Sequence, residues 1–152
     1  MCFYIDRQMC PKAKIATKPI IAYKIVAPGH SSKEYISIWL DFLYIRNNFY
    51  FSKIKKGIGS YYGIEHGLHT FRQRPSNPFR DEKVVRFTIP KGAQYYENES
   101  EYVSNCLWVG TKPPNMTSEQ KKELKRVTKL PRKIIKEKLG KFKKNHVNLQ
   151  KA

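Results

Sequence analysis

The run VVRFTIP constrains the fold of this chain more than any other stretch. Val85, Phe87 and Ile89 fall on one side of an extended backbone. Arg86 and Thr88 fall on the other side, so apolar and polar residues alternate with a period of two. This period predicts a β-strand that turns one face towards a core.

Other stretches also have strand composition. IIAYKIV is rich in branched and aromatic residues and predicts a strand. EYISIWLDFLYIRNNFYF predicts strands with a turn at Asn47 and Asn48, although its loose alternation also allows a short helix. EYVSNCLWV predicts one last strand. One face of that strand is expected to carry Tyr102, Ser104, Cys106 and Trp108, and the other Val103, Asn105, Leu107 and Val109.

The composition changes after this last strand. Two consecutive prolines in KPPN can neither donate ladder hydrogen bonds nor continue a helix, which places a boundary near residue 111. Thr117 and Gln120 then form a capping box, and the following residues predict a helix. Pro131 begins a second predicted helix, PRKIIKEKLGKFKKN. The sequence predicts an α+β protein: a mainly antiparallel β body at 1–111, followed by a tail of one or two basic helices at 112–152.

Charge is the clearest chemical property of the chain. Its 152 residues hold 30 Lys and Arg against 12 Asp and Glu, a formal net charge of +18. Residues 112–152 contain 14 of these cations and only three Glu, so the excess is concentrated in the tail. A positive field of this size attracts polyanions, and nucleic acid is the first candidate.

We expect the tail to contact the phosphates of DNA or RNA. Lysine dominates its cations, which favours point contacts to the backbone over bidentate reading of bases, so binding should depend little on sequence. The apolar face of the second helix is modest, which makes a membrane surface a weaker candidate. The predicted nucleic-acid contacts are Lys121, Lys122, Lys125, Arg126, Lys129, Arg132, Lys133, Lys136, Lys138, Lys141, Lys143 and Lys144.

The segment GIEHGLHTF contains two histidines three residues apart, a spacing that suits metal ligation on a helix. Gly63 and Gly67 oppose a helix, and on a strand the two imidazoles would face opposite ways. We therefore expect a turn into a strand that carries His69 and Phe71 on one side, with His69 as a hydrogen-bonded structural residue. The sequence predicts neither a metal site nor a cofactor.

The three cysteines, Cys2, Cys10 and Cys106, form no CxxC pair. An odd count without a dense framework favours free thiols in a reducing compartment over a disulfide scaffold. Charged residues interrupt the apolar run near the start, so we expect no signal peptide. No stretch approaches the roughly 20 apolar residues of a membrane span.

The motifs MCFYI, IAYKIV, GLHTF and VVRFTIPKGAQYYENESEYVSNCLWV are similar to those of a family of small bacteriophage and gut-bacterial proteins. The similarity covers most of residues 1–109, and the last two motifs are its most specific part. It implies a phage or mobile-element origin and no established activity. The basic tail lies outside it.

An enzymatic alternative rests on a second similarity. ADP-ribosyltransferases place a Ser-Thr-Ser or a His or Tyr on strands that line a nicotinamide pocket, and a catalytic Glu in an E-x-E or Q-x-E segment. In this chain His69 precedes Thr70, and Glu99 and Glu101 form an E-x-E at the start of the last predicted strand. Such a carboxylate would stabilise an oxocarbenium-like transition state. The Ser-Thr-Ser itself is missing, and Lys24 stands where an Arg would lie on the first strand.

Three functions follow from the sequence. The first is a non-enzymatic, phage-type accessory protein that binds nucleic acid and belongs to a virion or another nucleoprotein assembly. The second is an ADP-ribosyltransferase-like enzyme that uses His69 with Glu99 and Glu101. The third is a structural protein whose basic helices dock on acidic protein surfaces. The host cytoplasm or the virion is the expected location.

Overall fold

The structure is a computed structural model that describes residues 3–4, 13–37, 42–56, 63–76, 78–79 and 81–128. The described residues form strands and one helix. The strands are β1 (Phe3–Tyr4), β2 (Lys14–Ile15), β3 (Ile20–Pro28), β4 (Glu34–Ser37), β5 (Leu43–Ile45), β6 (Phe49–Phe51), β7 (Lys55–Lys56), β8 (Gly63–His66), β9 (Leu68–Phe71), β10 (Lys83–Ile89), β11 (Gln94–Glu97), β12 (Glu101–Ser104) and β13 (Cys106–Trp108). The helix is α1 (Ser118–Val127).

Antiparallel pairing organises these strands, which confirms a mainly antiparallel α+β body. The large sheet has the order β2-β11-β12-β9-β3-β10-β13-β6, and β4 and β5 extend from β3. A small sheet has the order β1-β8-β7. The longest pairing joins residues 20–26 of β3 to residues 83–89 of β10. The two strands predicted by IIAYKIV and VVRFTIP therefore lie side by side at the centre.

The large sheet rolls around its core. Strand β4 pairs with β3 on the side opposite β10, β5 pairs with β4, and a turn then leads into β6, which pairs with β13 beside β10. Tyr44 of β5 reaches across to Phe87 of β10, with ring centroids 5.1 Å apart. Asn47 has the positive φ of 61° that this turn needs, in agreement with the predicted Asn47–Asn48 turn. The described part of EYISIWLDFLYIRNNFYF is extended and turn structure, not helix.

The predicted single strand over EYVSNCLWV is wrong, because it breaks at Asn105 into β12 and β13. Before the break the chain pairs with β11 and β9, and after it with β10 and β6. Asn105 is fully buried and uses its polar groups locally. Its Oδ1 accepts from the backbone N–H of Gln94, and its own N–H donates to the Gln94 carbonyl. These bonds bend the chain from one part of the sheet to the other.

The helix predicted from the capping box is confirmed. Thr117 Oγ1 accepts from the Gln120 N–H, and the Gln120 side chain accepts from the Thr117 N–H. Leu124 packs against the core, and Val127 is 2% exposed. Thr128 just after the helix accepts a bond from Asn105 Nδ2. The first helix of the tail is thus packed on the body, and the second predicted helix lies outside the described residues.

Candidate anion-binding site

A cavity of about 500 Å³ opens at one end of the rolled sheet. Four parts of the chain meet there: the beginning of β10, the segment after β13, the turn between β5 and β6, and Arg74 from the loop after β9. Tyr35 of β4 contributes to the wall. The volume is in the range of small-molecule binding sites, and the mouth of a rolled sheet is a common place for one.

Five exposed cations line this cavity, and its described lining contains neither Asp nor Glu. None of the five forms an ion pair with another described residue. Lys83 has its Nζ 5.1 Å from the centroid of the Tyr35 ring. The cations are Arg46, Arg74, Lys83, Arg86 and Lys112, which we call the cationic rim. Like charges around one concave space concentrate a positive potential that favours an anion.

Buried apolar groups lie beneath the cationic rim. Trp108 is 8% exposed and packs on Phe49 with ring centroids 4.6 Å apart, and Val109 is fully buried. Gly110 has a φ of 153°, and a Cβ at this position would lie 2.9 Å from Trp108 Nε1. Glycine at 110 therefore lets the backbone pass close to the indole. The cavity joins a charged rim to an aromatic and aliphatic wall.

Strand β10 offers backbone groups to the same cavity. Its first residues extend beyond its contact with β13, since the two strands pair only at Thr88 and Trp108. The Thr88 hydroxyl donates to the Gly110 carbonyl at 2.6 Å and closes the end of that pairing. On the far side β10 is fully paired with β3. Residues 83–86 line the cavity, and alternate residues of a strand direct their N–H and C=O groups away from its paired neighbour.

The predicted nucleic-acid contacts within the described chain lie on α1. Lys121, Lys122 and Lys125 are exposed. On the opposite side Val127 is buried, and Gln120 and Leu124 are half-buried. Arg126 is also exposed, but it forms an ion pair with Glu123. The remaining predicted contacts lie outside the described residues, namely Lys129, Arg132, Lys133, Lys136, Lys138, Lys141, Lys143 and Lys144.

The residues of the enzymatic alternative come partly together. Gly67, with a φ of 145°, turns the chain into β9 as predicted, and β9 pairs with β12 so that His69 lies opposite Val103 and Phe71 opposite Glu101. His69 and Glu101 are consequently diagonal neighbours on one face of the sheet. Glu101 is 6% exposed, and burial raises its pKa. Glu99 stands apart in an exposed turn.

His69 differs from the expected hydrogen-bonded residue. Its buried Nδ1 has no hydrogen-bond partner among the residues that the structure describes. Burial, assisted by the charge of Lys24, lowers the pKa of His69 to about 4. Lys24 Nζ donates to the His69 carbonyl at 2.8 Å, and burial lowers the pKa of Lys24 to about 8. His69 is thus a neutral imidazole beside the half-buried ammonium group of Lys24 at neutral pH.

In the described part of the chain, no group of three His, Cys, Asp or Glu side chains is arranged to hold a metal ion. Cys106 is a buried free thiol whose pKa burial raises to about 12, while Cys2 and Cys10 lie outside the described residues. The described portion also holds no helix long and apolar enough to cross a membrane.

Sequence reasoning missed the cationic rim as a unit. Its members come from distant segments, and none belongs to a local motif. In the sequence Arg74 stands next to Pro75, in the segment RQRPSNP, which matches no binding motif. Comparison with known proteins adds no assignment, since no family model, curated protein or solved structure matches the chain.

Proposed function

We propose that the protein binds nucleic acid through its phosphates with little regard to sequence, as a non-enzymatic accessory component of a phage virion or nucleoprotein assembly. The host cytoplasm or the particle is its place of action. The observation that carries this proposal is the division of α1 into a covered side and an exposed side. Leu124 and Val127 fix the helix on the body, and the ammonium groups of Lys121, Lys122 and Lys125 face solvent.

A fixed row of ammonium groups suits a phosphate backbone. Lysine is a compact point charge without the planar fork that reads base edges, so these contacts stabilise binding to any sequence. Each phosphate contact releases condensed counterions, which makes the affinity depend strongly on salt. We propose that the cations at 129–144, which lie outside the described residues, add further phosphate contacts.

Full-length protein with Lys121→Gln, Lys122→Gln and Lys125→Gln tests this proposal. Binding to a labelled duplex is followed by fluorescence anisotropy at several salt concentrations. We expect the slope of log affinity against log salt to become less negative by roughly 2 to 3, because each lost phosphate contact removes about 0.9. Two duplexes of unrelated sequence should give the same values.

A matched control removes three exposed lysines of the body, Lys18, Lys55 and Lys91, and thus changes the net charge equally. This control should keep the wild-type slope within about one. Equal losses in both triple variants would mean that overall charge, and not the α1 face, determines binding. If the wild-type protein binds neither DNA nor RNA but binds an acidic polypeptide, the proposal is wrong and docking on acidic protein surfaces takes its place.

A second candidate function is ADP-ribosyl transfer, favoured by the placement of His69 and Glu101 on one face of the sheet. The bond between nicotinamide and ribose C1′ of NAD would break, and a bond from C1′ to an acceptor would form. Glu101 would act as the acid–base and electrostatic group. We expect nicotinamide release from NAD by wild-type protein and its loss in Glu101→Gln. Absence of release by the wild-type chain across a broad set of acceptor proteins would exclude this candidate.

A further inference from the structure

We infer that the cavity between β10 and the segment after β13 is a binding site for a nucleotide that carries several phosphates. This site is separate from the lysine row of α1, and it does not depend on the function proposed above. The inference comes from three independent properties of the cavity: the charge of its rim, the chemistry of its wall, and the free edge of β10.

The cationic rim selects the charge of the ligand. Five cations surround about 500 Å³ without a described acidic group among them. Arg46, Arg74 and Arg86 have no hydrogen bond from their guanidinium groups to any described residue, so their donors remain available to a ligand. Guanidinium groups bind phosphate oxygens in pairs, and a ligand with several adjacent phosphates would engage more of the rim than one phosphodiester.

The wall of the cavity indicates which group is attached to the phosphates of the ligand. Under the rim, the half-buried Val84 and Val85 present aliphatic surface to the cavity. Trp108 and Tyr35 add small aromatic edges, since they are 8% and 6% exposed. Inorganic phosphate would leave this surface uncovered. The backbone of residues 83–86 adds N–H donors and C=O acceptors along an edge that β13 does not cover. A nucleobase combines a flat apolar face with an edge of donors and acceptors, so it matches both features. A nucleoside polyphosphate is thus the ligand class that uses the whole cavity.

The test measures ATP binding to full-length protein by isothermal titration calorimetry in about 0.15 M salt, where exposed charges are screened. Wild-type protein should bind one ATP per chain. Arg46→Gln combined with Arg86→Gln should weaken binding by about 30-fold or more, because two charge-assisted contacts are lost. Lys121→Gln combined with Lys122→Gln removes the same charge from α1 and should change the affinity by less than about two-fold.

Two further ligands test the base and the phosphates separately. Inorganic tripolyphosphate should bind at least about ten-fold more weakly than ATP, and adenosine should show no measurable binding. Tripolyphosphate that binds as tightly as ATP would overturn the nucleotide assignment. Equal losses in the rim and α1 variants, or several ATP molecules bound per chain, would overturn the site.

Unchanged urea midpoints would show that the rim variant is folded, which is expected because both arginines are exposed. The salt slope for duplex binding separates this inference from the proposed function. A rim variant that binds ATP more weakly but has the wild-type salt dependence of duplex binding supports the cavity as a separate site. An α1 variant with weaker salt dependence of duplex binding but unchanged ATP affinity supports the same conclusion.

Discussion

Two buried threonines of the large sheet differ in what their hydroxyl groups contact. Thr88 donates to the Gly110 carbonyl, while Thr70 Oγ1 has no hydrogen-bond partner within the described chain. Both side chains are at most 3% exposed. We expect Thr88→Val to lower the free energy of unfolding by about 1–3 kcal/mol, because it leaves a carbonyl unpaired. Thr70→Val should be neutral or stabilising by up to about 1 kcal/mol, since valine has the same shape without the polar group.

Urea denaturation of the two variants measures this difference, and each serves as the other's control for the shape change. A Thr70→Val variant as destabilised as Thr88→Val would show that the Thr70 hydroxyl has a partner in solution. The two variants together separate the free-energy cost of burying a hydroxyl from the stabilisation that its hydrogen bond contributes.

His69 should make stability depend on pH on the acid side of neutrality. Its ordinary pKa is 6.5 and its folded pKa is about 4, so between these values the unfolded chain binds more protons than the folded one. The free energy of unfolding therefore falls as the pH falls through this range. Glu101 acts in the opposite sense, because burial raises its pKa and protonation favours the folded state.

Replacing His69 by Phe removes this contribution. We expect the stability of His69→Phe relative to wild type to increase by up to about 3 kcal/mol between pH 7 and pH 4.5, as measured by urea denaturation at each pH. Thr88→Val, which removes no titratable group, should keep the pH dependence of the wild type. Parallel pH curves for wild type and His69→Phe would contradict the lowered pKa.

At the scale of elements, Asn105 joins three parts of the fold: β11, the β12–β13 break and the end of α1. We expect Asn105→Ala to lower the free energy of unfolding by about 2–4 kcal/mol, because the N–H of buried Gln94 loses its acceptor, the half-buried Thr128 hydroxyl loses a donor, and a cavity remains. Circular dichroism during urea denaturation provides the measurement. Asn115→Ala, at an exposed position, should stay within about 0.5 kcal/mol of wild type. A similarly small change at Asn105 would mean that the bend is held by other contacts.

Elements could be predicted where one rule dominates locally. Residues 20–28 have strand composition, Asn47 tolerates positive φ, and the capping box at Thr117 satisfies its own hydrogen bonds. The break at Asn105 could not be predicted in this way. Residues 103–109 are all buried, so apolar and polar residues do not alternate between a core face and a solvent face there. The break depends on bonds to Gln94 and Thr128, which are remote in sequence from one another.

At the scale of the whole molecule, the charge of +18 should oppose compaction. Raising the salt from about 10 mM to 150 mM shortens the screening length from about 30 to 8 Å. We expect the thermal midpoint to rise by a few degrees as repulsion is screened. The Lys121, Lys122 and Lys125 triple glutamine variant should show a smaller rise. A midpoint that is constant or falls with salt would show that attractive ion pairs outweigh the repulsion.

The candidate site also belongs to this scale. The lysine face of α1 could be predicted because its residues are neighbours along one helix. The cationic rim could not be predicted, because Arg46, Lys83 and Lys112 meet only when β10, β13 and the β5–β6 turn take their places. The composition predicts attraction to anions. The concave site cannot be read from composition, because it forms only when the pairing of the strands brings cations from distant segments together.

The pairing of β3 with β10 has a consequence during synthesis. Strand β3 is made about 60 residues before its long partner β10. At about 5–20 residues per second, the nascent chain keeps the apolar side chains of β3 exposed for about 3–12 seconds before that partner emerges from the ribosome. Contacts between such distant segments form slowly. Over that interval the edge of β3 that later pairs with β10 is open to chaperones and to neighbouring nascent chains.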